Sequence, residues 1–347
     1  VGTLLTRTTP STRRQPARIG NAAFLAPEMR TVPSSDRPPS TKNLSTADSA
    51  PALRGPLVRR ERLYREGMDL PPHGLAKRGV DHLVTLNQAP LQVQNTLAVA
   101  ISQSGQSPDV VEPLRYFSAN GATTVALVND AASPLADAAQ WTMPLHAGPE
   151  LSVAATKSYI TSLSAAARLV AHWQNDAALL DALQRLPDDL QVATQQDWDK
   201  AIEVFAPAER IMVVGRGTGF TTALESALKF KETSTIQAEA FSGAEIKHGP
   251  MALIHEGYPL LVYATRGPAQ QGLIKLAEEM RGRGARVLLA APADVAERDL
   301  TIATASVPDL DPLTAIQSFY VMAAKLSVAR GLNPDQPRHL SKVTKTN

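Results

Sequence analysis

The 347-residue chain contains no cysteine. This absence excludes disulfide bonds, thiolate metal sites and a cysteine nucleophile within the printed sequence. No apolar run approaches the roughly 18 residues of a membrane span. The Arg- and Ser-rich N-terminus also lacks the apolar core of a signal peptide, so secretion is not supported and we expect a cytoplasmic protein.

An excess of charge of either sign is also lacking. The 35 Lys and Arg residues balance 33 Asp and Glu, for a formal net charge of +2, which argues against a general nucleic-acid binder. The charge is unevenly distributed along the chain, because residues 1–90 contain 14 basic and 7 acidic residues. This part is rich in Pro and Ser and has no sustained 2.0 or 3.6 period, which is typical of a disordered leader.

From about residue 89 the pattern alternates between apolar strands and amphipathic helices. Strands are predicted at 97–101, 123–128, 141–145, 210–214, 258–263 and 285–290, and helices at 110–119, 152–173, 221–235, 270–283 and 313–330, with a helical linker over 174–198. Helices of 10 to 15 residues between strands indicate right-handed βαβ units. The chain length favours two domains. The sequence therefore predicts an α/β protein with two tandem, doubly wound parallel sheets.

The loop SQSGQS, residues 102–107, directly follows the first of these strands. In an open parallel sheet, ligands bind beyond the carboxyl ends of the strands. Ser107 suits a helix N-cap and Pro108 the first helical position, so the loop leads into the positive end of a helix. Serine hydroxyls and the close approach allowed by Gly105 favour a phosphate here. A capped turn without a ligand is the alternative.

Two better-known phosphate motifs do not fit. The loop lacks the Gly-Lys-Ser/Thr ending of a Walker loop. The later turn GRGTGF, residues 215–220, lacks the third glycine of the dinucleotide fingerprint.

A second group of polar residues lies on the helix predicted after GRGTGF. Glu225, Lys229 and Glu232 are spaced i, i+4 and i+7 and therefore share one face. An exposed stripe of salt bridges is one interpretation. Apolar neighbours on the same helix favour another, in which these charges pair in a cleft and one carboxylate acts as a proton-transfer base.

For two further residues, the sequence by itself indicates no functional role. His248 stands just before a Gly-Pro turn, but a lone histidine is more often a surface or core residue than a catalyst. Lys342, in the polar C-terminal tail, would by itself be interpreted as a solvated side chain.

The segments around these residues resemble the sugar isomerase (SIS) domain family, which binds phosphosugars. The resemblance rests on SQSGQS, PELSVAATKSY (149–159), ALESALKFKETSTIQAEAFSGAEIKHGPMALI (223–254) and PRHLSKVT (337–344). It covers about residues 89–347. Its narrower match is to the isomerase half of glucosamine-6-phosphate synthase and its deaminase-like relatives. It implies flavodoxin-like domains.

The resemblance also implies roles for individual residues. It implies a phosphate loop formed by Ser102, Gln103, Ser104 and Ser107. Glu232 matches the base that moves a proton between C1 and C2, and His248 matches a ring-opening residue supplied by the neighbouring subunit, so a homodimer with a shared site is expected. Lys229 matches a helix lysine near the sugar, and Lys342 a tail lysine that closes over it. Val153 matches a position whose backbone lines the sugar pocket.

These roles fit one reaction, the isomerisation of an aldose phosphate, for which a carboxylate and a histidine suffice without metal or redox cofactor. The synthase also needs a glutaminase domain with a terminal cysteine, for which this sequence has neither cysteine nor room. We therefore expect a glucosamine-6-phosphate deaminase. Plain aldose–ketose isomerisation and a non-catalytic phosphosugar-binding regulator are the alternatives, and no nucleic-acid or membrane partner is expected.

The first predicted domain departs from the family pattern. We divide the chain into an irregular basic region at 1–88, a first SIS domain at 89–185 and a second at 195–347. The strands, helix and Gly-Ser-Ser loop that should precede SQSGQS are not evident. Only the Ser-Ser-Asp sequence within VPSSDR (32–37) is similar to that loop. We hypothesise that about residues 37–88 are translated out of frame, which would leave the first domain incomplete. Ser34 and Ser35 receive no site role for that reason.

Overall fold

The computed structural model describes residues 3–8 and 74–77 as strands, Val84, and residues 91–342. Among these, one compact unit comprises residues 3–8, 74–77, 84 and 91–148, and the other comprises residues 149–342. Within the described part of the chain, no helix is both long and apolar enough to cross a bilayer.

The first unit is built on a five-stranded sheet in the order β2-β1-β3-β4-β5. Its elements are β1 (Thr3–Thr8), β2 (Gly74–Lys77), β3 (Thr96–Ser102), α1 (Pro108–Ala119), β4 (Thr123–Val128), α2 (Pro134–Ala138) and β5 (Trp141–Pro144). Strands β3, β4 and β5 are parallel, as predicted, because apolar runs buried on both faces suit a parallel sheet. Strand β1 pairs antiparallel with both β2 and β3, so this sheet is mixed.

Strands β1 and β2 lie in the stretch for which the sequence predicted no regular structure. The register pairs Leu4 with Lys77 of β2 and with Ala100 of β3. Apart from these strands and Val84, residues 1–88 lie outside the described residues. The hypothesis that residues 37–88 are out of frame therefore stays a prediction.

The second unit has five parallel strands in the order β10-β9-β8-β6-β7. Its elements are α3 (Lys157–Gln174), α4 (Ala177–Thr194), α5 (Asp199–Phe205), β6 (Arg210–Gly215), α6 (Gly219–Ser234), β7 (Gln237–Ser242), β8 (Pro259–Tyr263), α7 (Gln270–Gly282), β9 (Arg286–Ala291), β10 (Leu300–Thr301) and α8 (Asp311–Ala329), with 3₁₀ turns at Glu245–His248, Pro250–Leu253 and Pro308–Leu310. If the strands of this sheet are numbered from 1 to 5 in chain order, starting at β6, their spatial order from the β7 edge is 2-1-3-4-5. This is the strand order of doubly wound, flavodoxin-like folds.

Both faces of the second sheet are covered. Ile211 and Val213 of β6 point into a core that includes Phe230 of α6 and Phe319 of α8. The alternate residues of β6 join a second core with the apolar face of α7. Because side chains alternate along a strand, the near-continuous apolar run of β6 fills both cores at once.

The start and end of α6 are fixed by the backbone. A Cβ on Gly215 would lie 2.4 Å from the carbonyl oxygen of Gly219, so only glycine lets β6 turn into the helix so tightly. The helix ends where Thr235 adopts φ +52°, and the N–H of Ile236 then bonds back to the carbonyl of Phe230 at 3.1 Å. These two ends determine where the charged face of α6 lies.

The structure differs from the predicted elements in several further places, of which three bear on the second unit's site or core. The helix expected from residue 152 begins only at Lys157, because residues 150–153 form a hydrogen-bonded loop instead. Strand β7 was not predicted, since its sequence QAEAFS has weak β propensity. Helix α5 was also missed; Trp198 just before it is buried and donates Nε1–H to the carbonyl of Thr301 at 2.8 Å.

We predict opposite effects for alanine at two glycines of the second unit. Gly215→Ala should lower the free energy of unfolding by about 1–3 kcal/mol, because the new methyl group collides with backbone. Gly272→Ala, at an exposed position in the first turn of α7 with open space around the added Cβ, should raise it by about 0.5–1 kcal/mol. Urea denaturation measures both. Equal midpoints for the two variants would contradict the packing described for the β6–α6 turn.

Candidate active site

The charged face of α6 is buried and internally paired. The ammonium group of Lys229 lies 2.5 Å from Glu232 Oε2 and 3.3 Å from Glu225 Oε1. The side chain of Lys229 is 4% exposed, that of Glu225 7% and that of Glu232 22%. The predicted shared face is therefore present, and its charges form a buried ion cluster rather than an exposed stripe.

Glu225 is held in the interior by two hydrogen-bonding groups. Burial raises the pKa of its carboxyl group, while Lys229 and the hydroxyl of Tyr320 lower it. That hydroxyl donates to Glu225 Oε1 at 2.8 Å. Burial and the neighbouring carboxylate raise the pKa of Tyr320 well above its usual value, so the phenol stays a donor. Glu225 therefore positions Lys229 from the inner side and leaves Glu232 as the more accessible carboxylate.

Lys342 of the C-terminal tail lies against the loop before α3. Its ammonium group donates to the carbonyl of Ser152 at 2.6 Å and stands 3.9 Å from Glu150 Oε2. Burial lowers the pKa of Lys342, and this effect is opposed by Glu150 and Glu232 and reinforced by Lys229. The charges of Glu232 and Lys229 on α6 thus act on the tail lysine, and the shared role of Lys229, Glu232 and Lys342 stays a prediction.

The loop itself is organised by Glu150. Its carboxylate accepts the backbone N–H groups of Thr156 at 2.8 Å and Ser158 at 3.3 Å, and the Ser158 hydroxyl at 2.5 Å. The pKa of Glu150 is lowered: burial raises it, but the hydrogen bonds from Ser158 and Thr156 outweigh that effect. An ionised carboxylate at the start of α3 also suits the helix dipole.

The predicted substrate position at Val153 is tied to the tail. Its backbone N–H donates to the carbonyl of Asp335 at 3.1 Å, and the neighbouring Ser152 hydroxyl donates to Asp335 Oδ1 at 2.5 Å. Two hydrogen bonds therefore fasten the tail beside Val153, and Lys342 follows seven residues later. Sequence reasoning missed Asp335 and Tyr320, because each acts through a partner far along the chain. It also missed Glu150, whose carboxylate accepts from residues six and eight positions later without a regular pattern.

His248 ends the 3₁₀ turn Glu245–His248, and its side chain is exposed. The next residue, Gly249, has φ +147°, a conformation that favours glycine. Within the described residues, its imidazole makes no hydrogen bond and forms no ion pair with Glu232. The structure therefore places this predicted site residue at the surface of the second unit.

The predicted phosphate loop lies in the first unit, at the carboxyl end of β3. Ser102 Oγ accepts the N–H of Gly105 at 3.0 Å, and Ser104 Oγ accepts that of Gln106 at 3.3 Å. Gly105 has φ +64°, and a Cβ there would lie 2.1 Å from the buried Ser133 hydroxyl. The loop is thus compact and requires glycine at this position.

Ser107 occupies the predicted N-cap of α1, with Pro108 as the first helical residue. Its hydroxyl makes no capping hydrogen bond to the helix, whereas its carbonyl accepts the N–H groups of Val110 and Val111. Ser102, Gln103, Ser104 and Ser107 are all half-buried. In the described part of the chain, no cluster of three or more His, Asp or Glu side chains could hold a metal ion.

Removing the cation of the buried cluster should destabilise the protein in a pH-dependent way. Lys229→Met should lower the free energy of unfolding by about 3–5 kcal/mol near neutral pH, because Glu225 and Glu232 lose the cation that they share. Loss of the cation raises the pKa of Glu225 further above its unfolded-state value. The destabilisation should therefore shrink as the pH falls through that raised pKa, and it should be smallest below about pH 4.3, where this carboxyl group is protonated in both the folded and the unfolded state.

Urea denaturation at several pH values measures this effect. The matched control is Lys247→Met, which removes an exposed pair with Glu279 and should change stability by less than about 1 kcal/mol. A pH-independent loss in the Lys229 variant would contradict the ion cluster.

Comparison with known proteins gives the family. The SIS domain model matches residues 85–171 and 204–326. The glutamine–fructose-6-phosphate aminotransferase [isomerizing] of Methanothermobacter thermautotrophicus is 37% identical over 256 residues, covering 71% of this chain and 43% of that protein. The enzyme of the same name from Zymomonas mobilis is 33% identical over 270 residues, covering 73% and 44%. The chain spans less than half the length of these curated relatives.

Solved structures agree with this match. A candidate phosphosugar isomerase of Silicibacter pomeroyi is 39% identical with a TM-score of 0.69, over 74% of this chain and 78% of that one. Glucosamine-6-phosphate deaminase of Thermotoga maritima shares the fold at 23% identity and a TM-score of 0.62, over 77% and 80%. With two matched segments on two α/β units, the chain belongs to the SIS domain family.

Proposed function

We propose that this chain isomerises phosphosugars and, more specifically, deaminates glucosamine 6-phosphate to fructose 6-phosphate and ammonia. The observation that carries the proposal is the buried cluster on α6, in which Lys229 bridges Glu225 and Glu232. Such a cluster supplies what proton transfer next to a carbonyl needs, namely a positioned carboxylate and fixed cations.

Glu232 is the carboxylate best suited to act as the base. It is the most exposed of the three charged groups on α6, while its hydrogen bond to Lys229 fixes the direction of its carboxylate. Glu225 lies deeper and is occupied by Tyr320 and Lys229. In this assignment Glu232 removes the proton from C2 and returns it to C1, and Glu225 holds Lys229 in place.

Lys342 is suited to engage the substrate carbonyl. Its lowered pKa increases the fraction of neutral amine near pH 7, and only the neutral amine has a lone pair to offer. The hydrogen bonds from Ser152 and Val153 to Asp335 hold the tail in the closed position that such a role requires.

The remaining predicted residues complete the proposal. The loop of Ser102, Gln103, Ser104 and Ser107 at the start of α1 would bind the phosphate, because hydroxyls and the positive end of a helix favour an anion. The exposed position of His248 suits a residue that opens the sugar ring in a second copy of the chain, so we propose a homodimer with shared sites. A cytoplasmic location stays a prediction.

Deamination is the reaction that this proton shift produces on an amino sugar. After ring opening, moving the C2 proton to C1 converts the 2-amino aldose into a 2-imino compound, and water then replaces the nitrogen to give the ketose and ammonia. The curated relatives are named for amino transfer to fructose 6-phosphate with isomerisation, which supports chemistry of nitrogen at C2. The second candidate is isomerisation of a 2-hydroxy sugar phosphate, favoured by the structure that is 39% identical.

Replacing the proposed base should separate binding from turnover. Glu232→Gln should reduce ammonia release from glucosamine 6-phosphate by about 10²–10⁴-fold, because the amide cannot accept the C2 proton, while phosphosugar binding is retained. A coupled ammonia assay and isothermal titration measure the two effects. The matched control is Glu278→Gln, at an exposed position of α7, which should keep full activity.

The outcomes distinguish the candidates. Unchanged ammonia release in Glu232→Gln would contradict the mechanism. Interconversion of glucose and fructose 6-phosphates without ammonia release from the amino sugar would replace deamination by plain isomerisation. Binding without turnover of any aldose phosphate by the unsubstituted chain would favour a phosphosugar-binding regulator.

A further inference from the structure

A cavity lies in the second unit, at the opposite edge of its sheet from the strand ends that usually bind ligands. It has a volume of about 290 Å³ and is lined at the amino ends of β6, β8 and β9, with Arg210, Arg286, His255, Tyr258 and Glu209 among its walls. This volume is at the lower limit of ligand pockets, roughly 300–1,000 Å³, and suits a molecule smaller than a nucleotide. None of these residues belongs to the proposed phosphosugar site.

The cavity carries two cations that the protein leaves available. Arg210 and Arg286 are both exposed, and within the described residues neither guanidinium forms an ion pair. Glu209 is the one acidic residue among those lining the cavity, so the arginines leave an excess of positive charge. Guanidinium groups bind phosphate oxygens through paired, charge-assisted hydrogen bonds, which makes an oxyanion the natural ligand.

Tyr258 adds an independent hydrogen-bonding group to the cavity. The residue is only 7% exposed, yet in the described part of the chain its hydroxyl makes no hydrogen bond. A buried hydroxyl without a partner is unfavourable. Burial raises the pKa of Tyr258, an effect that Arg210 opposes and Glu239 reinforces, so the hydroxyl is a protonated donor in the cavity that Arg210 also lines.

The walls of the cavity are fixed by backbone hydrogen bonds. The carbonyl of Tyr258 accepts the N–H of Arg286 at 2.8 Å, which aligns β8 with β9. Arg330 donates to the carbonyls of Ala206 and Ala208, the latter at 2.9 Å, and so holds the segment that follows α5. The donors are therefore presented by rigid elements, as a preformed site requires.

We propose that this cavity is a second oxyanion site, which binds a small phosphate-bearing molecule through Arg210, Arg286 and the hydroxyl of Tyr258. The site shares no residue with the phosphate loop of the first unit. The proposal can therefore be tested independently of the proposed deaminase activity.

Titration of inorganic phosphate tests the proposal, with chloride used to keep the ionic strength constant. The full chain carrying Ser104→Ala and Ser107→Ala removes hydroxyls of the phosphate loop and should retain one phosphate site. Adding Arg210→Gln and Arg286→Gln to that chain should weaken the remaining site by at least about tenfold. Isothermal titration calorimetry measures both affinities.

Two further variants keep the test decisive. Arg283→Gln removes an exposed arginine of the same unit that is paired with Glu279, and it should leave phosphate binding unchanged. Tyr258→Phe removes only the hydroxyl and should weaken binding without loss of fold, which the urea unfolding midpoint checks. Equal phosphate binding in the chains with and without the two arginines would overturn the proposal.

Discussion

The buried ammonium group of Lys229 is the interaction on which the proposed site depends. A cation that is 4% exposed is unfavourable unless carboxylates surround it, and α6 supplies one on the preceding turn and one on the next. Tyr320 of α8 in turn holds Glu225 by a hydrogen bond. Glu225 positions Lys229, and Lys229 positions the more accessible Glu232.

Helix α8 fixes the end of α6 that carries Glu232. The Ser327 hydroxyl donates to the carbonyl of Thr233 at 2.7 Å, and Arg330 donates to that of Ser234 at 2.8 Å. These carbonyls belong to the last turn of α6, where no further helical N–H can satisfy them. The proposed base therefore stands on a rigid element, which proton transfer with defined geometry requires.

Local patterns in the sequence predict most of the second unit. The apolar run of β6 and the shared face of Glu225, Lys229 and Glu232 follow from short-range periodicity, and both are confirmed. Contacts such as that between Tyr320 and Glu225 could not be predicted, because no short-range pattern encodes a pairing across 95 residues. The sequence alone also gave no sign of the pocket at Tyr258, since its arginines come together only through the register of β6, β8 and β9.

Tracing the C2 hydrogen tests the account most directly. Glucosamine 6-phosphate carrying deuterium at C2 can be converted by the unsubstituted chain and the product examined by nuclear magnetic resonance. A proton shift through Glu232 predicts fructose 6-phosphate, with the deuterium divided between C1 and water. An aldose product that has lost its nitrogen but keeps deuterium at C2 would contradict the account, because the amine would then have left without cleavage of the C2–H bond.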